Sequence, residues 1–230
     1  MSRYEVGNAR HIIEIDDGWR VLDVGSGQNP HPRANVLLEK FLHDHRHRSG
    51  AIVDKRDPRL VIGDATAMPF GDKEVDYVIA SHIAEHVDDP AALCRELIRV
   101  AHAGYVETPG WLADMLLREE FHVWRVRRRG RGLEFQPVVR ARPLGVFADL
   151  FYASLYATVD RAGHWTLKSK NPLVAHALGL LRRVLARAIR LPGICGLMYT
   201  KLEWSGEFPV WVGHREAPAS RARTRGDARS

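Results

Sequence analysis

The chain has 230 residues, 45% hydrophobic and 27% charged, a balance that fits one sizeable core with a subsidiary cap and excludes a wholly disordered chain. Its net charge of +6 does not imply a nucleic-acid partner: residues 215–230 hold five arginines against Glu216 and Asp227, which is +3, and the other +3 is spread too thinly for a phosphate-tracking surface. Cys94 and Cys195 are the only cysteines, no apolar leader opens the chain and no stretch reaches transmembrane length, so a cytoplasmic protein without a disulfide framework is expected.

In chain order, residues 1–20 are expected to form an N-terminal arm or helix. Val21-Leu22-Asp23-Val24 reads as a buried strand, and Gly25-Ser26-Gly27 as a loop that lets a ligand approach bare backbone. A nucleotide-binding unit should continue into a helix. The next eight residues are QNPHPRAN, however, and Pro30 and Pro32 allow at most a single turn before the strand pattern resumes at 35–38. Further strand-like runs lie at 59–62, 75–80 and 104–107, several of them continuously apolar, as in strands covered on both faces. Between the last two, residues 89–102 predict a helix. Asp89 can cap it, Pro90 suits its first position, and Leu93, Leu97, Ile98 and Val100 line one stripe. Strands alternating with helices predict an α/β fold with a mostly parallel sheet and ligands at the carboxyl ends of its strands.

After residue 110 the texture changes. Residues 111–120 read as a helix, and 121–128 with 132–139 as a β-hairpin around Arg-Gly-Arg-Gly. Residues 144–160 read as helical, and 171–190 as an amphipathic helix with Arg182, Arg183, Arg187 and Arg190 on its polar side. Its apolar side is expected to pack on the body, with contact to an anionic membrane surface as the weaker alternative. The stretch MYTKLEWSGEFPVWVG reads as a strand pair turning at Ser205-Gly206, and 215–230 as a disordered basic tail. Trp111, Trp124, Trp165 and Trp204 are expected in the core rather than on a substrate wall. The organisation is therefore an arm (1–20), a ligand-binding core (21–110), an elaboration that completes the sheet and caps the substrate (111–214), and the tail.

Four strand ends carry polar groups toward one place. Asp23, Gly25, Ser26 and Gly27 follow the first strand, Glu39 the second, Asp64 and Ala65 the third, and Ser81 and His82 the fourth. The runs "LDVGSG", "GDATAMPFGDKEVDYVIASHIAEHVDDP" and "LCRELIRVAHAGYVETP" resemble the class I S-adenosylmethionine-dependent methyltransferases of the small-molecule, type 11-like kind, from about Val21 to Pro109. That resemblance implies a Rossmann-like fold, here with a shortened first crossover and a C-terminal helical and hairpin elaboration. It also implies that Asp23 and the glycine loop back the methionine moiety, Glu39 holds the ribose, and Asp64 with Ala65 contacts adenine.

On this reading the protein transfers a methyl group to an oxygen or nitrogen of a small-molecule or glycan-like acceptor. If the acceptor must lose a proton, His82 is the first candidate base and Glu107, ending the fifth strand, the second. Two other classes stay open: a non-catalytic module that binds S-adenosylmethionine, and an NAD(P)-dependent oxidoreductase. The second is disfavoured by the missing helix, whose N-terminus would hold a pyrophosphate. No metal is expected. His82-Ile83-Ala84-Glu85-His86 spells the order used by inverted zinc peptidases, but it follows a strand directly, whereas those ligands share a helix. His43, His45 and His47 sit between Arg and Gly in what reads as a solvated loop.

Overall fold

The computed structural model describes residues 1–41, 54, 56–117, 121–138 and 192–217. The expected helices at 144–160 and 171–190, Trp165 and the His43–His47 loop lie outside the described residues.

Six strands form the central sheet, in the order β10-β7-β6-β3-β4-β5. They are β3 (Val21–Val24), β4 (Val36–Glu39), β5 (Leu60–Ile62), β6 (Val75–Ser81), β7 (Ala101–Pro109) and β10 (Tyr199–Ser205). All neighbours are parallel except β10, which runs antiparallel to β7 and closes that edge. This is the α/β, Rossmann-like sheet expected from the alternation of elements. Helix α1 (Pro90–Val100) connects β6 to β7. Asp89 caps it by accepting a hydrogen bond from Ala92 N at 2.9 Å, and Pro90 starts it where its missing N–H costs nothing.

Strand alternation separates the two faces of the sheet. Val78, Ala80 and Val106 point to the side of α1, where Leu93, Cys94, Leu97 and Ile98 meet them. Tyr77, Ile79 and Tyr105 point to the other side, and their cover is not a helix. Strands β1 (Ser2–Val6) and β2 (His11–Ile15) pair as an antiparallel hairpin that lays Val6, Ile13 and Ile15 on those residues and on Val21. The first 20 residues are thus a hairpin rather than a helix or a plain arm. The first crossover indeed forms no helix, only turns closed by Asn29 N to Ser26 O and by Ala34 N to His31 O. The hairpin therefore buries apolar sheet surface that would otherwise face water.

Past α2 (Trp111–Leu117), the expected hairpin is present as β8 (Trp124–Arg129) and β9 (Gly132–Pro137). The pair expected to turn at Ser205-Gly206 is not. After α3 (Pro192–Met198), β10 joins the central sheet, while β11 (Val210–Val212) pairs parallel to β9 and antiparallel to β12 (Arg215–Ala217). Pro209 follows the turn and cannot donate to a continued hairpin ladder, and Phe208 is fully buried beside Trp204. The first three residues of the expected tail are accordingly paired strand. Trp204 lies in the core, Trp124 packs against it, and Trp111 is half exposed. The four-stranded sheet shares its core with α1 and β10 through Val126, Leu133, Phe135 and Leu202. Among the described residues no helix is long and apolar enough to cross a membrane.

Candidate functional site

A cavity of about 830 Å³ opens at the carboxyl ends of β3, β4, β5 and β6. Asp23, Gly25, Ser26, Gly27, Glu39, Asp64, Ala65, Ser81 and His82 all line it; Glu107 lies beneath the lining. Gly25 and Gly27 have φ of 70° and 59°, left-handed angles that glycine adopts without strain. Their loop is tied down from the neighbouring strand. Gly25 N donates to Leu38 O at 2.9 Å, and the Glu39 carboxylate accepts from Gly27 N at 2.6 Å and Ser26 Oγ at 3.3 Å. Glu39 thus shapes the glycine loop as well as facing the cavity.

Asp23 is 4% exposed and accepts from His31 N at 2.8 Å, which pins the proline-rich crossover to the strand end. Burial pushes its carboxyl up to about 7. The charge of Glu39 adds to the rise, and the His31 N–H and the charge of Arg59 oppose it. Asp64 stands in the opposite situation. The Lys40 ammonium at 2.7 Å, together with Thr66 N at 2.9 Å and Thr66 Oγ1 at 2.8 Å, holds its carboxyl down at about 2.

At the far end of the cavity, His82 adopts φ of 57°, uncommon for a residue other than glycine. The turn is over-determined by Glu107, whose carbonyl accepts from His82 N at 2.8 Å. Both ring nitrogens face carboxylates: Nε2 lies 3.1 Å from Glu107 and Nδ1 3.3 Å from Glu85. Burial alone would lower the His82 pKa, but these carboxylates outweigh it and push it up to about 10. Glu107 is fully buried and also accepts from Tyr105 Oη at 2.6 Å, Asn8 N at 2.7 Å and Ala9 N at 3.3 Å. Burial favours its neutral form, but these hydrogen bonds, led by that from His82, hold it ionised. The turn of the N-terminal hairpin is therefore latched onto the end of β7, and a Cβ at Gly7 would collide with the Glu107 carboxylate. Gly7 and Asn8 complete the cavity wall. Sequence reasoning missed this wall, although a Gly-Asn pair between the alternating runs RYEV and HIIEI is a hairpin signal.

Residues 22–106 match the family described as the methyltransferase domain. The match covers 85 of the chain's 230 residues. An uncharacterized methyltransferase of Mycolicibacterium gilvum is 32% identical over 112 residues, covering 40% of this chain and 43% of that protein. The demethylmenaquinone methyltransferase of Renibacterium salmoninarum is 34% identical over 91 residues, covering 38% of each chain. The chain thus spans about two fifths of the length of the curated relatives it matches. Among solved structures, the YcgJ protein of Bacillus subtilis is similar at 20% identity and a TM-score of 0.33, over 46% of this chain and 54% of that one. At that score the overlap adds nothing to the family match.

The cofactor of this domain type is S-adenosylmethionine, and the residues present fit it. The chain brings two carboxylates, Asp23 and Glu39, to its glycine loop, with no helix N-terminus behind them. Such a loop suits a ligand end bearing an ammonium and a sulfonium and repels a pyrophosphate. His82 lines the cavity with both its nitrogens facing carboxylates, and Glu107 is not among the residues that line it.

Proposed function

We propose that the chain transfers the sulfonium methyl group of S-adenosylmethionine to an oxygen or nitrogen nucleophile of a small-molecule or glycan-like acceptor. The observation that carries this reading is the helix-free glycine loop flanked by the Asp23 and Glu39 carboxylates. Bound there, the cofactor supplies an activated methyl group, so the chain needs chiefly to align the acceptor and exclude water. Glu39 and Asp64 hold the nucleoside, and the glycine loop backs the methionine end. The hairpin turn at Gly7-Asn8, latched by Glu107, walls the acceptor end of the cavity. His82 is a positioning residue there: its two ring nitrogens, held by Glu107 and Glu85, fix that wall and leave no nitrogen lone pair to act as a base.

S-adenosylhomocysteine is expected to raise the melting temperature of the protein, while NADH and NADPH at equal concentration leave it unchanged. Stabilisation by a dinucleotide alone would overturn the cofactor assignment. Methyl transfer from labelled S-adenosylmethionine into a cell extract separates an enzyme from a non-catalytic module. Asp64→Ala is expected to weaken S-adenosylhomocysteine binding about ten- to a hundredfold, the loss of a hydrogen bond to a charged acceptor. The unliganded protein should change little, because the Asp64–Lys40 pair is a half-exposed surface pair. Unchanged affinity by calorimetric titration would remove Asp64 from the cofactor cleft.

A further inference from the structure

Beside the cofactor cavity lies a second cluster that methyl transfer does not use. Among the described residues, Glu85, His86 and His122 bring one ligand atom each to within 4.8 Å of one another. Glu85 is 1% exposed, and neither of its carboxylate oxygens has a hydrogen-bond partner. Its nearest partners among the described residues are two imidazoles, His82 Nδ1 at 3.3 Å and His86 Nε2 at 3.8 Å. A buried carboxylate held only by such long contacts is costly.

Both histidines of the cluster are oriented through their far nitrogens, as ligands to metal ions usually are. His122 Nδ1 lies 2.8 Å from Asp114 Oδ1, a pair buried on both sides, and His86 Nδ1 lies 3.2 Å from the carbonyl of Phe121. The backbone stitches the two halves together. Glu85 O accepts from Val123 N at 2.9 Å and Trp124 N at 3.2 Å, and Trp124 Nε1 donates to Val87 O at 2.8 Å. The His86 and His122 rings stand 4.9 Å apart.

We propose that Glu85, His86 and His122 form a binding site for a divalent transition-metal ion, with zinc as the closest match. Two imidazoles and one carboxylate are a borderline donor set of the kind zinc takes, and three protein ligands are the count of sites that keep a position open. Tetrahedral ligands about 2.0–2.2 Å from zinc stand roughly 3.3–3.6 Å apart, so binding would draw the ligand atoms together by up to about 1.2–1.5 Å. The site adjoins the cavity, since His86 also lines it. The donor set differs from the His82-x-x-Glu85-His86 pattern read in the sequence. His82 is turned toward Glu107, and His122, 36 positions beyond His86, takes the third place. The expectation of no metal weighed that local pattern and the His43–His47 loop, neither of which contains His122.

The test is zinc titration of the full chain after chelator treatment and dialysis, read by calorimetry and by melting temperature, with bound metal counted by elemental analysis. One zinc per chain is expected, raising the melting temperature. His86→Gln and His122→Gln should each weaken binding by more than about a hundredfold, and Asp114→Asn, which only orients His122, by about ten- to a hundredfold. His122 is buried, so the melting temperature of each metal-free variant is measured alongside; His86→Gln, on the more open side, decides the matter if His122→Gln does not fold. His82→Asn should retain the zinc. Absence of stoichiometric zinc, zinc that survives both His86→Gln and His122→Gln, or zinc lost on His82→Asn but kept by His122→Gln would each overturn the site. None of these readouts depends on methyl transfer.

Discussion

Replacing Glu107 by leucine is expected to lower the stability of the protein by about 3–5 kcal/mol, the range seen when one partner of a buried ion pair is removed. For a chain of this size that corresponds to a fall of roughly 6–20 °C in melting temperature. The carboxylate accepts from two backbone N–H groups in the hairpin turn, from the Tyr105 hydroxyl and from the His82 ring, and it is fully buried. Leucine fills much the same volume but leaves those donors, one of them an imidazolium, without an acceptor away from water. Unsatisfied buried donors cost more than the hydrogen bonds were worth. Glu107→Gln separates shape from charge: its carbonyl can still accept from Asn8 N, so it should lose less than leucine does. The hairpin turn should loosen with the latch, exposing the 7–10 turn to proteolysis. Urea unfolding of both variants checks the order; a leucine variant as stable as the original protein would show that the latch contributes nothing.

The central sheet was legible because its signals are local. Four buried residues between polar flanks mark β3, an acidic cap and a proline mark α1, and the loops at strand ends carry the polar residues that a parallel sheet collects at one edge. The N-terminal hairpin was harder. HIIEI places apolar residues at spacings that fit a helical stripe as well as a half-buried strand, and only pairing with RYEV decides between them. The C-terminal sheet was legible only in its β8–β9 hairpin. Val210–Val212 lies parallel to Leu133–Phe135, a partner some 77 positions earlier that no local pattern encodes. Arg215–Ala217 reads as disordered by composition, yet its backbone completes an edge, where charged residues are the usual occupants. The same holds for the site. Asp23, Glu39 and Asp64 announce themselves at strand ends, but the latch on Glu107 draws donors from 99 positions away, and nothing near residue 107 marks it.

Asp23→Asn is expected to make the free protein more stable above neutral pH while weakening its hold on the cofactor. The Asp23 carboxyl has an ordinary value of 3.8 and stands at about 7 in the folded protein, chiefly because it is buried. Below pH 3.8 it is protonated in folded and unfolded chains alike. Between 3.8 and 7 the folded chain holds a proton that the unfolded chain has released, so stability from this group falls as pH rises and levels off above 7. The full difference corresponds to about 4 kcal/mol. Asparagine cannot ionise, yet its side-chain oxygen can still accept from His31 N, the bond that pins the crossover. The variant should therefore match the original protein at pH 3.5 and exceed it by about 4 kcal/mol at pH 8, since every other titrating group is common to both. Binding should move the other way. The ionised carboxylate attracts the ammonium of the ligand's amino-acid end, so affinity of the original protein for S-adenosylhomocysteine should rise as pH passes through about 7. In Asp23→Asn that rise should vanish and affinity at pH 8 should fall by about one to two decades. Urea unfolding and calorimetric titration at both pH values measure the two effects on the same samples. A variant no more stable at pH 8, with cofactor affinity intact, would mean that Asp23 is neither strained by burial nor engaged by the ligand.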